Sequence, residues 1–276
     1  MPINKGTSSI TGIYVGSNEV IKAYVGSDLV YSKGGALIPI TDLNVGDSVY
    51  LKETGVLREY IIVQKGRPST AYDASCDGIW LMRKELYKLF ELPATQVYGA
   101  DNYICNYTGF EADTECVNFY NTELFLYDSI IINATIPSRT GAGSAPNWNQ
   151  QNATIQRKCF LLSAKEMGFQ DSALNICYPS NSAKLSYFGF GSLVSTEERK
   201  GYYNGSVYPW ITRSTQVIEN ADTGDLELRA FETNVNGWFN GIGLGNPARN
   251  TGLRPCIIAS NAANIREDTH ELMPTL

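Results

Sequence analysis

The residues best equipped for chemistry in this chain are rings and amides, not acids, bases or thiols. Between positions 202 and 250 stand Tyr202, Tyr203, Asn204 and Tyr208, then Trp238, Phe239 and Asn240, and finally Asn246, Arg249 and Asn250. Tyr and Trp offer large faces with few rotors, and Asn offers a donor and an acceptor on one short stem. Such a set can hold a sugar, because C–H faces stack on rings while hydroxyls meet amides. It can hold a protein surface by the same means. The competing reading is that some of these rings, Trp210 above all, fill a core and that Gly and Asn merely make turns. The ten residues above are the ligand-binding candidates.

Other chemistries lack their parts. The single histidine, His270, lies in a polar segment, so no Ser-His-Asp set can be assembled. The six cysteines are scattered with no C-x-x-C pair, which fits buried free thiols better than zinc. In "ENADTGDLE" the residues Asn220, Asp222, Asp225 and Glu227 hint at calcium, but the EF-hand order of ligands is missing and a solvated acidic turn is the better reading. Glu197 and Glu198 offer carboxylates for a glycosidase, although their separation is not legible in sequence. No Gly-rich phosphate loop stands between a strand and a helix. The expectation is therefore no catalytic residue, no metal and no cofactor.

Composition narrows the partners. The chain has 276 residues and a net charge of -6, and Lys and Arg form no run, so a nucleic-acid ligand is not expected. No apolar run approaches the ~18 residues that cross a bilayer. The opening "MPINKGTSSITG" has no secretory pattern, so synthesis and folding in a cytoplasm are expected. The four Asn-x-Ser/Thr triplets, at Asn106, Asn133, Asn152 and Asn204, then mark Asn-rich loops only.

The elements that must position these residues follow from periodicity. "YVGSNEVIKAYVGSDLVYSKG" repeats Tyr-Val-Gly-Ser after ten residues and predicts strands separated by Gly-Ser turns. A ribbon this small is marginal alone and should be buried against neighbours. Next, "ITDLNVGDSVYLKETGVLREYIIVQKG" alternates as a hairpin. "RKELYKLFEL" has helical spacing through Leu86, Leu89 and Phe90, and "EADTECVNFYNTELFLYDSI" is a second helix candidate. Residues 138–154 read as a long polar loop. "CFLLSAKEMGF" reads as a strand followed by a short helix, with Ser163 and Glu166 as a capping box. A loop-rich β region then closes on "RPCIIAS". The predicted class is α+β, with an antiparallel sheet, two main helices and long loops. Residues 1–35 form the ribbon, 36–260 the body, and 261–276 a polar tail of weak helical character.

"GRPSTAYDASCDGIWLMRKEL" carries a resemblance. Its Gly66, Pro68, Tyr72, Asp73, Cys76, Gly78, Trp80, Leu81 and Arg83 resemble a motif of uncharacterised domains common in tail proteins of phages and prophages of gut Firmicutes. "IPSRTGAG", "CFLLSAKEMG", "WITRS" and "GLRPCIIAS" follow in that family's order, and the similarity spans residues 37–260. Ile211 and Thr212 depart from it, where a second aromatic or a Leu is more usual. The "GLRP" ending also resembles C-type-lectin-like domains of the formylglycine-generating-enzyme type, whose catalytic cysteines have no counterpart here.

The resemblance implies a virion tail protein, made in the bacterial cytoplasm, that adheres through its late loops to a surface glycan or protein. It implies a ribbon that contacts other tail proteins and a homotrimer. A polysaccharide hydrolase, or a baseplate or head decoration protein, is the alternative. Arg83 and Arg254 are read as structural, each guanidinium tying carbonyls or a carboxylate in a loop-rich fold. Asp73 and Asp77 are read as bracing the turn around Cys76.

Overall fold

The structure, a computed structural model, describes residues 14–15, 18–19, 22–25, 28–32, 35–92, 103–104, 111–140, 142–143, 151–169, 182–189, 197–219, 226–243 and 249–274. The ribbon strands are β1 (Tyr14–Val15), β2 (Asn18–Glu19), β3 (Lys22–Val25) and β4 (Asp28–Ser32). They form two hairpins, β1 with β2 and β3 with β4. Val15 faces Asn18 and Val25 faces Asp28.

The body begins with β5 (Leu37–Pro39), β6 (Ser48–Glu53), β7 (Val56–Lys65), β8 (Ile79–Arg83) and β9 (Lys88–Leu92). Short β10 (Tyr103–Ile104) is followed by helix α1 (Glu111–Phe119), one π-turn over Tyr120–Leu124 and a 3₁₀ turn over Phe125–Tyr127. Then come β11 (Ala134–Thr140), β12 (Ala142–Gly143), β13 (Gln151–Arg157) and β14 (Cys159–Phe160). The late region holds β15 (Gly201–Tyr203), β16 (Ser206–Tyr208), β17 (Trp210–Glu219), β18 (Leu226–Thr233) and β19 (Phe239–Gly243). It ends with β20 (Arg249–Leu253), β21 (Cys256–Ala259) and β22 (Asn264–Arg266).

A five-stranded antiparallel sheet in the order β14-β21-β8-β7-β6 divides two cores. Alternation along its strands feeds both. Tyr60, Ile62, Ile79, Leu81 and Ile257 face the core beneath α1. Ile61, Val63, Trp80, Met82 and Ile258 face the core that includes Phe160, Met167 and Trp210. Strands covered on both faces read as unbroken apolar runs, as "GIWLM" and "PCIIA" do. A second sheet runs β19-β18-β17-β20-β9, antiparallel except where β17 meets β20.

The α+β expectation is corrected toward β, because α1 is the only α-helix among the described residues. Residues 83–92 are not a helix. Arg83 ends β8, Leu86 is buried in the turn, and β9 pairs with β20. Leu89 faces one core and Phe90 the other, which is strand alternation imitating a helical interval. Leu86 fills the space left by two glycines: a Cβ on Gly252 would stand 2.3 Å from Leu86 Cδ1, and one on Gly201 would stand 2.8 Å from its Cδ2.

Three smaller corrections follow. Much of the loop expected over 138–154 is paired, since β11 and β13 align from Ala134↔Arg157 to Thr140↔Gln151. The helix expected after "CFLL" is a run of turns. Its capping box still forms, as that motif's spacing requires. Ser163 N donates to Glu166 Oε2 at 2.9 Å, and Glu166 N donates to Ser163 Oγ at 3.3 Å. The segment 261–276 is not helical in its described part. There β22 pairs with β5, Tyr50 N donates to the His270 carbonyl at 3.0 Å, and Leu272 is buried.

Candidate functional site

The polar residues of the motif blocks meet inside the protein. Glu166 accepts from the Tyr72 hydroxyl at 2.8 Å and from Arg213 Nη1 at 2.6 Å, and Arg213 Nη2 closes a second contact with it. Arg213 also donates to the carbonyls of Leu161 and Pro137. The blocks "AYD", "AKEM", "TRS" and "IPSR" thus supply one buried, satisfied network. Its energetic role is conditional: an intact buried pair adds little, but removing one partner strands a charge. Burial, followed by the Glu166 charge, raises the Tyr72 phenol well above its ordinary range.

Two further arginines extend this pattern. Arg83 holds Glu53 through Nε at 2.8 Å and Nη2 at 3.0 Å, and Nη1 reaches the Glu85 and Leu86 carbonyls. Arg254 donates to the carbonyls of Arg83, Glu198 and Lys200 and lies 5.2 Å above the Trp210 ring. Burial lowers the Arg254 pKa to about 10. The structural reading of Arg83 and Arg254 is borne out, as is that of Trp210, which is fully buried with its Nε1 on the Arg199 carbonyl. Asp73 caps the 3₁₀ turn Ala74–Cys76 by accepting from Ser75 N and Oγ. Asn261 Nδ2 donates to the Asp77 carbonyl.

The outer rings occupy one end of the second sheet. β15 and β16 form a hairpin over Asn204 and Gly205, whose φ angles of 49° and 77° are both left-handed. That pair of conformations makes a type I′ turn, and Asn is one of the few non-glycine residues that accept it. Asn204 is exposed, and Tyr202, Tyr203 and Tyr208 are half-buried. The Tyr203 and Tyr208 rings meet edge to face with centroids 6.2 Å apart. This favoured ring geometry stiffens the hairpin. Leu86 N donates to the Tyr202 carbonyl and docks the hairpin on the body.

The other candidates follow from register. Trp210 faces Thr233 on β18, so the turn at 234–238 lies beside Tyr208 and Pro209. Asn234 braces that turn, its Oδ1 accepting from Asn236 N and Trp238 N. Trp238 is 43% exposed upon it. Trp210 also faces Gly252 in the parallel pair, which sets Asn250, exposed, at the level of Tyr208. Phe239, Asn240 and Arg249 lie on β19 and β20 by backbone. The Asn246 expectation falls outside the described residues, as does that for Asn220, Asp222 and Asp225.

Beside the hairpin opens a cleft of ≈ 330 Å³, walled by Tyr187, Tyr202, Lys84, Glu197, Glu198 and Lys200. Arg254 and Ile61 contribute to its lining. Tyr202 donates to Glu197 Oε2 at 3.0 Å, and Lys200 holds the other carboxylate oxygen. Lys200 and then Tyr202 keep the Glu197 carboxyl below its usual range, the reverse of what a general acid needs. Lys84 holds Glu59 at 2.8 and 2.9 Å. Sequence reasoning named Tyr202, and Glu197 and Glu198 as carboxylates, but missed Tyr187, Lys84 and Lys200, which only the fold brings beside them.

Among the described residues no group of His, Cys, Asp and Glu is arranged to hold a metal, and no helix is long and apolar enough to cross a membrane. Cys76, Cys116, Cys159 and Cys256 are buried free thiols, as expected. Burial pushes Cys76 up to about 12.

Fold and site together define a sheet-rich protein in which buried arginine networks fix a scaffold and rings are displayed on short loops at one end. Within that class, the chain belongs to the family described as a domain of unknown function (DUF6273), which matches residues 100–260. No curated protein and no solved structure matches the chain. The matched range starts beyond β9, yet its strands β14 and β21 complete their sheet only with β8, β7 and β6. The folded unit therefore reaches further toward the N-terminus than the match.

Proposed function

We propose that this chain is a phage or prophage tail-fibre or receptor-binding subunit that adheres to a bacterial surface glycan or protein. The body is a C-type-lectin-like adhesion module, and the ribbon of residues 1–35 attaches it to other tail proteins and supports a homotrimer. The observation that carries this reading is the set of rings borne on turns at one end of the second sheet: Tyr202, Tyr203 and Tyr208 are half-buried around the exposed Asn204 turn, and Trp238 is 43% exposed on the neighbouring one. Loops braced on a rigid sheet are where recognition surfaces usually sit. Repeating a weak site on three chains would raise avidity.

Sedimenting fluorescently labelled protein with intact cells of gut Firmicutes tests the reading. Retention on some strains, without release of reducing ends from their walls or capsules, is the expected result. Release of reducing ends would favour a hydrolase, and no retention on any strain would favour a structural virion role.

A further inference from the structure

The cleft's charges say what kind of ligand it takes. Three cations approach it, Lys84, Lys200 and Arg254, and three anions stand with them, Glu59, Glu197 and Glu198. Lys84 and Lys200 are each engaged by a carboxylate, Glu59 and Glu197. Arg254 is engaged by three carbonyls, two of them from the cleft wall itself at Glu198 and Lys200. An anionic ligand would have to break these pairs, and a cationic one would have to break them too or rely on the single Glu198 carboxylate, which has no ion pair among the described residues. What remains on offer is ring surface at Tyr187 and Tyr202, with donors and acceptors held in fixed places. Tyr202 is aimed by its bond to Glu197. Among the described residues the Tyr187 hydroxyl makes no hydrogen bond.

We infer that the cleft between Tyr187 and Tyr202 binds uncharged, hydroxyl-rich sugar units of a surface polysaccharide. A hexose places C–H faces on a ring and hydroxyls against ammonium and carboxylate groups without disturbing their pairing. Because no cation is released to meet a charged ligand, binding should hardly respond to salt. This inference rests on the adhesin reading and narrows it to one ligand class.

The test passes the full-length protein over immobilised neutral polysaccharides (glucan, galactan, mannan) and acidic ones (polygalacturonate, hyaluronan), in about 50 and about 500 mM NaCl, which brackets strong and weak screening. The expected result is retention on at least one neutral polymer, changing less than about two-fold between the salts. Tyr202→Ala should weaken it at least about ten-fold, the scale of losing one stacking face. Tyr202→Phe, which keeps the ring and loses the Glu197 bond, should fall between. A near-ultraviolet dichroism spectrum like that of the parent shows that each variant is folded. Retention on acidic polymers alone, lost at high salt, would overturn the ligand class. So would failure on all polymers while intact cells still bind, which leaves the adhesin reading standing. Failure on cells as well would sink that reading. Neutral binding that survives Tyr202→Ala would overturn the site.

Discussion

The guanidinium of Arg254 reaches back across 171 positions to donate to the main-chain carbonyl of Arg83 at 3.0 Å. The same group holds the carbonyls of Glu198 and Lys200, so one side chain ties the central sheet to the wall of the cleft. Lys in its place has no planar fork and would leave carbonyls unmet, at about 1–3 kcal/mol each. Arg254→Lys is therefore expected to lower the urea midpoint with an unchanged slope. A midpoint equal to that of the parent would mean the clamp is ornamental.

Arg213 and Glu166 form a buried pair, each almost wholly screened from solvent. Arg213→Ala strands the Glu166 charge and should cost roughly 3–5 kcal/mol. Arg213→Met combined with Glu166→Leu removes both charges. Its loss should be smaller than the sum of the two single losses, because neither partner is left alone. Equilibrium unfolding of the parent, the two single variants and the double measures the coupling, and strict additivity would contradict it.

Tyr60 and Tyr72 are held neutral by burial first, and then by the charges of Glu53 and Glu166. Their folded-state pKa values lie above the unfolded value of about 10, so their contribution to stability is complete below about pH 10 and is lost as pH rises through the folded values. Alkaline titration of the phenolate absorbance should show these phenols ionising together with loss of the far-ultraviolet dichroism signal. Full ionisation of all tyrosines in a still-folded protein would contradict the burial.

Of six cysteines, four are buried thiols, which leaves at most two open to reagent. Native titration with an aromatic disulfide at mildly alkaline pH should count no more than two, and titration in guanidinium should add the four buried thiols to that count. A native count above two would place one of the four outside its core.

The sequence carried more of the periphery than of the centre. The strands of the N-terminal ribbon, the Asp73 brace and the capping box of Ser163 and Glu166 were legible because local chemistry fixes them. β9 was not, since Leu86, Leu89 and Phe90 serve a glycine-lined gap and two cores, and their spacing coincides with a helix. In the sequence Glu166 shows itself only as a cap. It is one, but nothing local announces that Tyr72 and Arg213 share the same carboxylate. The cleft was half visible, because Tyr187 and Lys84 come to Tyr202 only through the sheet.

Cell binding by matched variants at two places on the surface asks whether the ring-bearing end is the one that holds the host. Tyr202→Ala and Trp238→Ala alter the ring-bearing end, while Phe125→Asp alters an exposed ring on the 3₁₀ turn after α1. The expected result is at least about a ten-fold loss of retention on cells for the first two, as for anchor residues at an interface, and parent-like retention for the third. Loss with Phe125→Asp alone, and none with Tyr202→Ala or Trp238→Ala, would contradict it.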